Sequence, residues 1–104
     1  MDVRFEKKFR KGLKKGKFQS VIASFERRRV ELESADNLDE FMRTYPGARC
    51  HERRGEQEGM FTVDLTGNYR LCFCLLSPFL LKEDGGIDTK SVVAVNVIEI
   101  DDPH

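Results

Sequence analysis

The sequence predicts an α+β fold in which N-terminal helices pack against an antiparallel β-sheet. Two observations support this. Before Pro46 the apolar residues recur at helical spacings of three, four and seven, and after it they alternate with polar residues. The 104 residues suffice for a single domain, 1–104, that can bury a modest core without disulfides or metal.

The N-terminal part is predicted to form a short strand followed by helices. Polar and apolar residues alternate over 2–5, which is typical of a strand. Residues 6–15 are dense in Lys and Arg, with two apolar residues four apart, and predict a short helix that Gly16 can end. The longest predicted helix covers 18–34, and its apolar face carries Phe18, Val21, Ile22, Phe25 and Leu32.

A third helix and a β-hairpin follow. Asn37 is a suitable N-cap for a helix over 38–43, with a glutamate at the third helical position as in a capping box. Apolar residues alternate with polar ones over 61–65 and again over 69–75. The sequence Thr66-Gly67-Asn68 between them predicts a turn, so the two segments form a hairpin.

The rest of the chain is predicted to be a long loop and one more strand. Residues 77–91 contain Pro78, two adjacent glycines and mixed charges, and loops of this length are often functional or mobile. Residues 92–100 are β-branched and largely apolar on both faces, which indicates a central strand.

The charges are unevenly distributed although the net charge is zero. Residues 1–29 carry a net charge of +8, and residues 30–104 carry −8. This pattern has two readings. It can be a solvated basic helical face balanced by acidic loops, or a basic segment that meets a polyanion.

The three cysteines, Cys50, Cys72 and Cys74, favour a reducing compartment over a disulfide framework. No apolar stretch follows Met1 as in a signal peptide, and no run of about 18 apolar residues could cross a membrane, so we expect a cytoplasmic protein. The spacing of the cysteines does not match a structural zinc site, and apolar strand packing accounts for them better.

Arg70 lies within an otherwise apolar strand, where its guanidinium needs a partner. A salt bridge across the sheet to Asp64 or Glu99 is one interpretation. The other is an open sheet face on which Arg70 binds a phosphate through two parallel hydrogen bonds.

Two imidazoles flank the predicted sheet. His51 precedes the hairpin and is followed by Arg53 and Arg54, which are within reach of the same anion. His104 is delivered to the end of the sheet by the last strand, and Asp102 could orient its imidazole. Alternatively, His51 is an ordinary surface residue and His104 belongs to a frayed terminus.

Five motifs follow one another along the chain: His51 to Gly55, Gly59 to Leu65, Tyr69 to Phe73, Lys82 to Asp88, and Asp102 to His104. Taken in this order, they resemble the HigB-like branch of the RelE/ParE toxin superfamily. The resemblance implies a small α+β fold with two helices on a curved antiparallel sheet. It also implies the toxin of a type II toxin–antitoxin system, an endoribonuclease that cuts mRNA on the ribosome and inhibits growth, as in plasmid maintenance.

In the chemistry that this resemblance implies, a ribose 2′-OH attacks the adjacent phosphate and leaves a 2′,3′-cyclic phosphate. His51 and His104 are then the base and acid candidates, and Arg70 is the clamp on the scissile phosphate. Arg54 adds transition-state charge stabilisation, and Asp102 orients His104 or contacts a base. The resemblance implies no metal and no cofactor.

The partners implied by the resemblance are a cognate helix-turn-helix antitoxin, the ribosome and mRNA. DNA is contacted only through the antitoxin, and no membrane is involved. The family usually ends in Asp-Tyr-His, whereas here Pro103 stands in place of the tyrosine. This removes an aromatic ring that could stack on a base. This departure motivates an alternative, a protein that keeps the fold and binds antitoxin or RNA without cleaving. A gyrase-directed toxin of the ParE type is a further alternative.

Overall fold

The computed structural model describes residues 1–14, 16, 19–53 and 59–101, and in them five strands form one sheet. The strands are β1 (Asp2–Phe5), β2 (His51–Glu52), β3 (Met60–Asp64), β4 (Arg70–Leu75) and β5 (Ala94–Asp101). Their spatial order is β1-β5-β4-β3-β2. All neighbours are antiparallel except β1 and β5, which run parallel.

Three helices accompany the sheet in the described part of the chain: α1 (Lys7–Lys14), α2 (Ile22–Ser34) and α3 (Leu38–Thr44). The predicted α+β class, with helices packed on a sheet, is therefore confirmed. Gly16 follows α1 with φ of +72°, a left-handed conformation that glycine adopts without strain.

The second helix begins differently from the prediction. Residues Gln19–Val21 form a 3-10 turn, and the regular helix starts only at Ile22. Phe18 lies outside the described residues. Three of the other four predicted face residues, Val21, Phe25 and Leu32, are buried, so the helical spacing identified the correct face.

The N-cap predicted for α3 is confirmed. The side-chain oxygen of Asn37 accepts a hydrogen bond from the backbone N–H of Glu40 at 2.8 Å. The carboxylate of Glu40 in turn accepts from the backbone N–H of Asp36 at 3.1 Å, one residue earlier than in a standard capping box. The helix ends at Thr44, just before Tyr45-Pro46.

One hydrophobic core joins the helices to one face of the sheet. Its largest fully buried members come from α2, α3, the three inner strands and the residues just before β5: Phe25, Leu32, Leu38, Phe41, Val63, Leu71, Phe73, Val92, Val95 and Val97. Because side chains alternate along a strand, the residues between these core positions face away from the helices.

A β-bulge adapts β5 to this arrangement. Cys72 pairs with Glu99 whereas Phe73 pairs with Val97, so Ile98 is an extra residue on β5. The bulge lets Val97 and Ile100, three residues apart, both face the core, and it turns Glu99 and Asp101 to the opposite face. The predicted central strand is indeed paired on both edges, by β1 and β4. The prediction of two apolar faces is wrong, because the bulge places Glu99 and Asp101 on the face away from the core.

The hairpin of β3 and β4 and the loop after it agree with the sequence prediction. In the loop, Leu81 and Ile87 form an isolated antiparallel bridge, and Thr89–Ser91 form a 3-10 turn. Among the described helices, none is long and apolar enough to span a membrane.

Candidate nucleic-acid interface on the open face of the sheet

The sheet face opposite the helices carries a connected group of polar side chains. Cross-strand pairing places side chains of paired residues on the same face, and two rows of pairs cross this face. One row is His51, Thr62, Cys72 and Glu99, and the next is Asp64, Arg70 and Asp101. We call these residues, together with the adjacent Arg49 and Arg53, the open face.

His51 is fixed by a backbone carbonyl. Its Nδ1 lies 2.8 Å from the carbonyl oxygen of Arg49, and its Nε2 lies 3.5 Å from Oγ1 of Thr62. A carbonyl oxygen can only accept, so Nδ1 carries the proton. In the neutral ring Nε2 therefore carries a lone pair that faces the Thr62 hydroxyl, and this nitrogen is the one able to accept a proton.

Arg49 provides that carbonyl from an unusual backbone conformation. It ends the 3-10 turn Pro46–Ala48 with φ of +51°, the only positive φ at a non-glycine residue in the described part. This left-handed residue turns the chain into β2. Sequence reasoning did not select Arg49. The available sequence signal for Arg49 was its position: it follows Pro46-Gly47, where the chain changes direction, and it comes two residues before His51.

Arg70 opens β4 at the rim of the face, rather than lying within the strand as predicted. It is exposed, and its Nε lies 3.6 Å from Oδ1 of Asp64. The other carboxylate oxygen of Asp64, Oδ2, lies 3.7 Å from Nε of Arg49. The predicted cross-sheet ion pair with Asp64 is thus present, whereas Glu99 lies one row away, opposite Cys72.

A second ion pair crosses the middle of the face. Arg53 follows β2, and its guanidinium contacts the carboxylate of Asp101 at the end of β5. The pair spans β3 and β4, where Thr62 and Cys72 are almost completely buried. Asp101 was not selected from the sequence, because the strand was predicted to end one residue earlier.

Two of the three thiols, those of Cys50 and Cys72, are poor nucleophiles. Burial raises the pKa of Cys72 to about 11, with Arg53 lowering it and Asp101 raising it, and burial raises the pKa of Cys50 to about 12. Both thiols are therefore protonated near neutral pH and are unsuited to nucleophilic attack or metal binding. Within the residues that the structure describes, no group of three or more His, Cys, Asp or Glu could hold a metal ion.

The five residues selected from the sequence divide into two groups. His51 and Arg70 lie on the same face, on β2 and β4 with β3 between them. Arg54, Asp102 and His104 lie outside the described residues. The described part of the face thus combines a proton acceptor with guanidinium groups, which suits contact with an anion such as a phosphodiester.

No protein-family model and no curated protein matches the sequence. A solved structure described as a YoeB/ParE toxin from Agrobacterium tumefaciens matches with a TM-score of 0.54 and 8% identity, over 100% of both chains. A toxin–antitoxin complex, RelBE2 from Mycobacterium tuberculosis, matches with a TM-score of 0.46 and 18% identity, over 97% of this chain and 95% of that one. The chain therefore shares the fold of the YoeB/ParE toxin structure.

Proposed function

We propose that this chain is the toxin of a type II toxin–antitoxin pair, of the HigB-like kind within the RelE/ParE superfamily. Its activity is metal-independent cleavage of mRNA on the ribosome. Two observations support the proposal: the whole-chain similarity in fold to a YoeB/ParE toxin and the sequence motifs that end in His104. The observation that carries the nuclease activity is the Nδ1 contact of His51, which leaves Nε2 as a proton acceptor on the face of Arg70.

The proposed reaction uses the RNA's own 2′-OH as the nucleophile. Nε2 of His51 takes the proton from the 2′-OH, and the resulting oxyanion forms a bond to the adjacent phosphorus. The bond from phosphorus to the 5′-oxygen breaks, and His104 donates a proton to that oxygen. Arg70 and Arg54 stabilise the charge on the pentavalent transition state. The products are a 2′,3′-cyclic phosphate and a 5′-OH.

The proposed partners follow from the same assignment. A cognate helix-turn-helix antitoxin neutralises the toxin, and the ribosome presents the mRNA. DNA is reached only through the antitoxin. Asp102 orients His104 or contacts a base of the RNA.

The test is expression of the chain in a bacterial host, with growth and mRNA integrity followed together. We expect growth arrest and mRNA fragments that depend on translation. Arg70→Gln and His104→Ala should each reduce cleavage by about 10²–10³-fold. Arg43→Gln is the matched control, because Arg43 is an exposed arginine of α3 that pairs with Asp39. If the Arg70 and His104 variants cut mRNA as the control does, the site assignment is wrong.

A second candidate function is a non-cleaving protein that binds antitoxin or RNA. It is favoured by Pro103, and by the carboxylates that face Arg53 and Arg70 on the open face. Normal growth on strong expression, with tight antitoxin binding, would support it. DNA damage signalling with intact mRNA would instead indicate a gyrase-directed toxin.

A further inference from the structure

We propose that Arg49 and Arg70 form a phosphate-binding site at the rim of the open face, and that the carboxylate of Asp64 occupies this site in the free protein. Asp64 thereby sets the affinity of the site for a nucleic-acid strand. The identity of the ligand as RNA rests on the proposed function. The existence of a two-arginine anion site does not.

The geometry places one carboxylate between two guanidinium groups. Asp64 is the last residue of β3 and pairs directly with Arg70, the first residue of β4. Each of its oxygens faces a different arginine, Oδ1 at 3.6 Å from Nε of Arg70 and Oδ2 at 3.7 Å from Nε of Arg49. The two non-bridging oxygens of a phosphodiester can occupy equivalent positions.

The two arginines keep their hydrogen-bonding capacity. Separations of 3.6 and 3.7 Å are ion-pair contacts that are too long for hydrogen bonds. Within the described part of the chain, neither guanidinium donates a hydrogen bond to any other group. Their side chains are 71% and 44% exposed for Arg49 and Arg70, whereas that of Asp64 is 25% exposed. Asp64 thus balances their charge while their planar N–H donors remain accessible to a ligand.

The backbone around the site is held in place. The carbonyl of Asp64 accepts a hydrogen bond from Nε of Arg28 on α2 at 2.8 Å, which anchors it from the helical side. The N–H of Arg49 donates to the carbonyl of Pro46 at 3.1 Å, and its own carbonyl accepts from Nδ1 of His51. The side chain of Arg49 therefore belongs to the anion site, while its backbone carbonyl holds the imidazole of His51.

The pair between Arg53 and Asp101 differs from this site. Its side chains are only 23% and 34% exposed and are in direct contact across the sheet, as in a structural ion pair. A phosphate would have to break that contact, whereas at Arg49 and Arg70 it needs only to replace a carboxylate held at longer range. Removal of the negative charge of Asp64 should accordingly strengthen anion binding.

The experiment measures binding without cleavage. A fluorescently labelled RNA oligonucleotide with 2′-O-methyl groups lacks the nucleophilic 2′-OH, and its binding is followed by fluorescence anisotropy at several salt concentrations. We expect Asp64→Asn to lower Kd by about tenfold, since one charge-assisted phosphate contact becomes available. The slope of log K against log salt should steepen by about 0.7 for that phosphate.

Two control variants match the changes in charge and exposure. Asp39→Asn removes a carboxylate of α3 that is 22% exposed and paired with Arg43, and it should leave Kd within about twofold. Arg49→Gln, added to Asp64→Asn, should abolish the gain in affinity. Arg43→Gln, added in the same way, should preserve it, because Arg43 is 68% exposed but lies on α3.

Equal affinities for Asp64→Asn and Asp39→Asn would overturn the proposal, and so would a gain that survives Arg49→Gln. If Asp64→Asn fails to fold, Arg49→Lys and Arg49→Gln are compared in the otherwise unchanged chain. Equal binding by these two would also overturn it, because lysine keeps the charge. If Asp64→Asn shifts Kd but the unmodified chain does not cleave mRNA, the proposed ribonuclease function is wrong and the anion site stands. If the unmodified chain cleaves mRNA but Asp64→Asn does not shift Kd, the anion site is wrong and the ribonuclease function stands.

Discussion

The guanidinium of Arg53 extends from the end of β2 over β3 and β4 to the carboxylate of Asp101, the last residue of β5. Three strand spacings of roughly 4.8 Å separate β2 from β5. A side chain bridges this separation most readily when the sheet is concave toward it. The contact therefore indicates that the open face is the inner side of a curved sheet.

This ion pair should stabilise the fold. Both side chains are largely shielded from water, so the loss of their charge-assisted contact should cost free energy. We expect Asp101→Asn and Arg53→Gln each to lower the free energy of unfolding by about 1–2 kcal/mol. Urea denaturation measures this effect, and the double variant should cost less than the sum of the two single variants. Additive effects would mean that the two side chains do not stabilise each other.

The tautomer of His51 can be observed directly. Because Nδ1 donates to the carbonyl of Arg49, the neutral ring should carry its proton on Nδ1 and not on Nε2. The nitrogen chemical shifts of the ring distinguish the two tautomers by NMR, and the chain has just two histidines to assign. A spectrum of the neutral ring with the proton on Nε2 would remove His51 as a base in this conformation.

The raised pKa values of two thiols predict how the stability of the protein changes at alkaline pH. The pKa values of Cys72 and Cys50 are raised from 9.0 to about 11 and about 12. Below pH 9 both thiols are protonated in the folded and unfolded chains. Above it the unfolded chain releases protons that the folded chain retains, so the free energy of unfolding falls as pH rises.

The decline should reach about 1 kcal/mol per pH unit for each thiol up to its folded pKa. It is measured by urea denaturation, under reducing conditions, at about pH 8 and about pH 10.5. The double variant Cys50→Ala/Cys72→Ala should show a flatter dependence on pH. An unchanged dependence would show that other groups are responsible.

The N-cap of α3 should contribute measurably to stability. Asn37→Ala removes the acceptor for the backbone N–H of Glu40 and should cost about 1 kcal/mol in thermal or urea unfolding. Asn68→Ala, in the exposed turn between β3 and β4, is the control and should change stability by less than about 0.5 kcal/mol. Equal effects of the two substitutions would mean that the cap contributes little.

The fold was predictable where a local pattern is decisive. The alternation on either side of Thr66-Gly67-Asn68 predicted the hairpin of β3 and β4, and Asn37 predicted the start of α3. The bulge at Ile98 was not predictable, because it depends on the register with β4. As a result, the sequence suggested two apolar faces for β5, whereas one face carries Glu99 and Asp101.

The candidate site was less predictable than the fold for the same reason. His51 and Arg70 were selected by residue type, and the structure brings them to one face. Arg49 and Asp101 were missed, because their contacts depend on a left-handed backbone and on a contact across four strands. The roles of Arg54, Asp102 and His104 remain predictions, since these residues lie outside the described part of the chain.

The measurement that tests the central claim most directly is end-group analysis of mRNA fragments made by purified protein on translating ribosomes. We predict fragments with a 2′,3′-cyclic phosphate and a 5′-OH. They should be reduced by about 10²–10³-fold in Arg70→Gln and unchanged in Arg43→Gln. Fragments with any other end groups, or equal cleavage by the two variants, would contradict the assignment of the open face as a ribonuclease site.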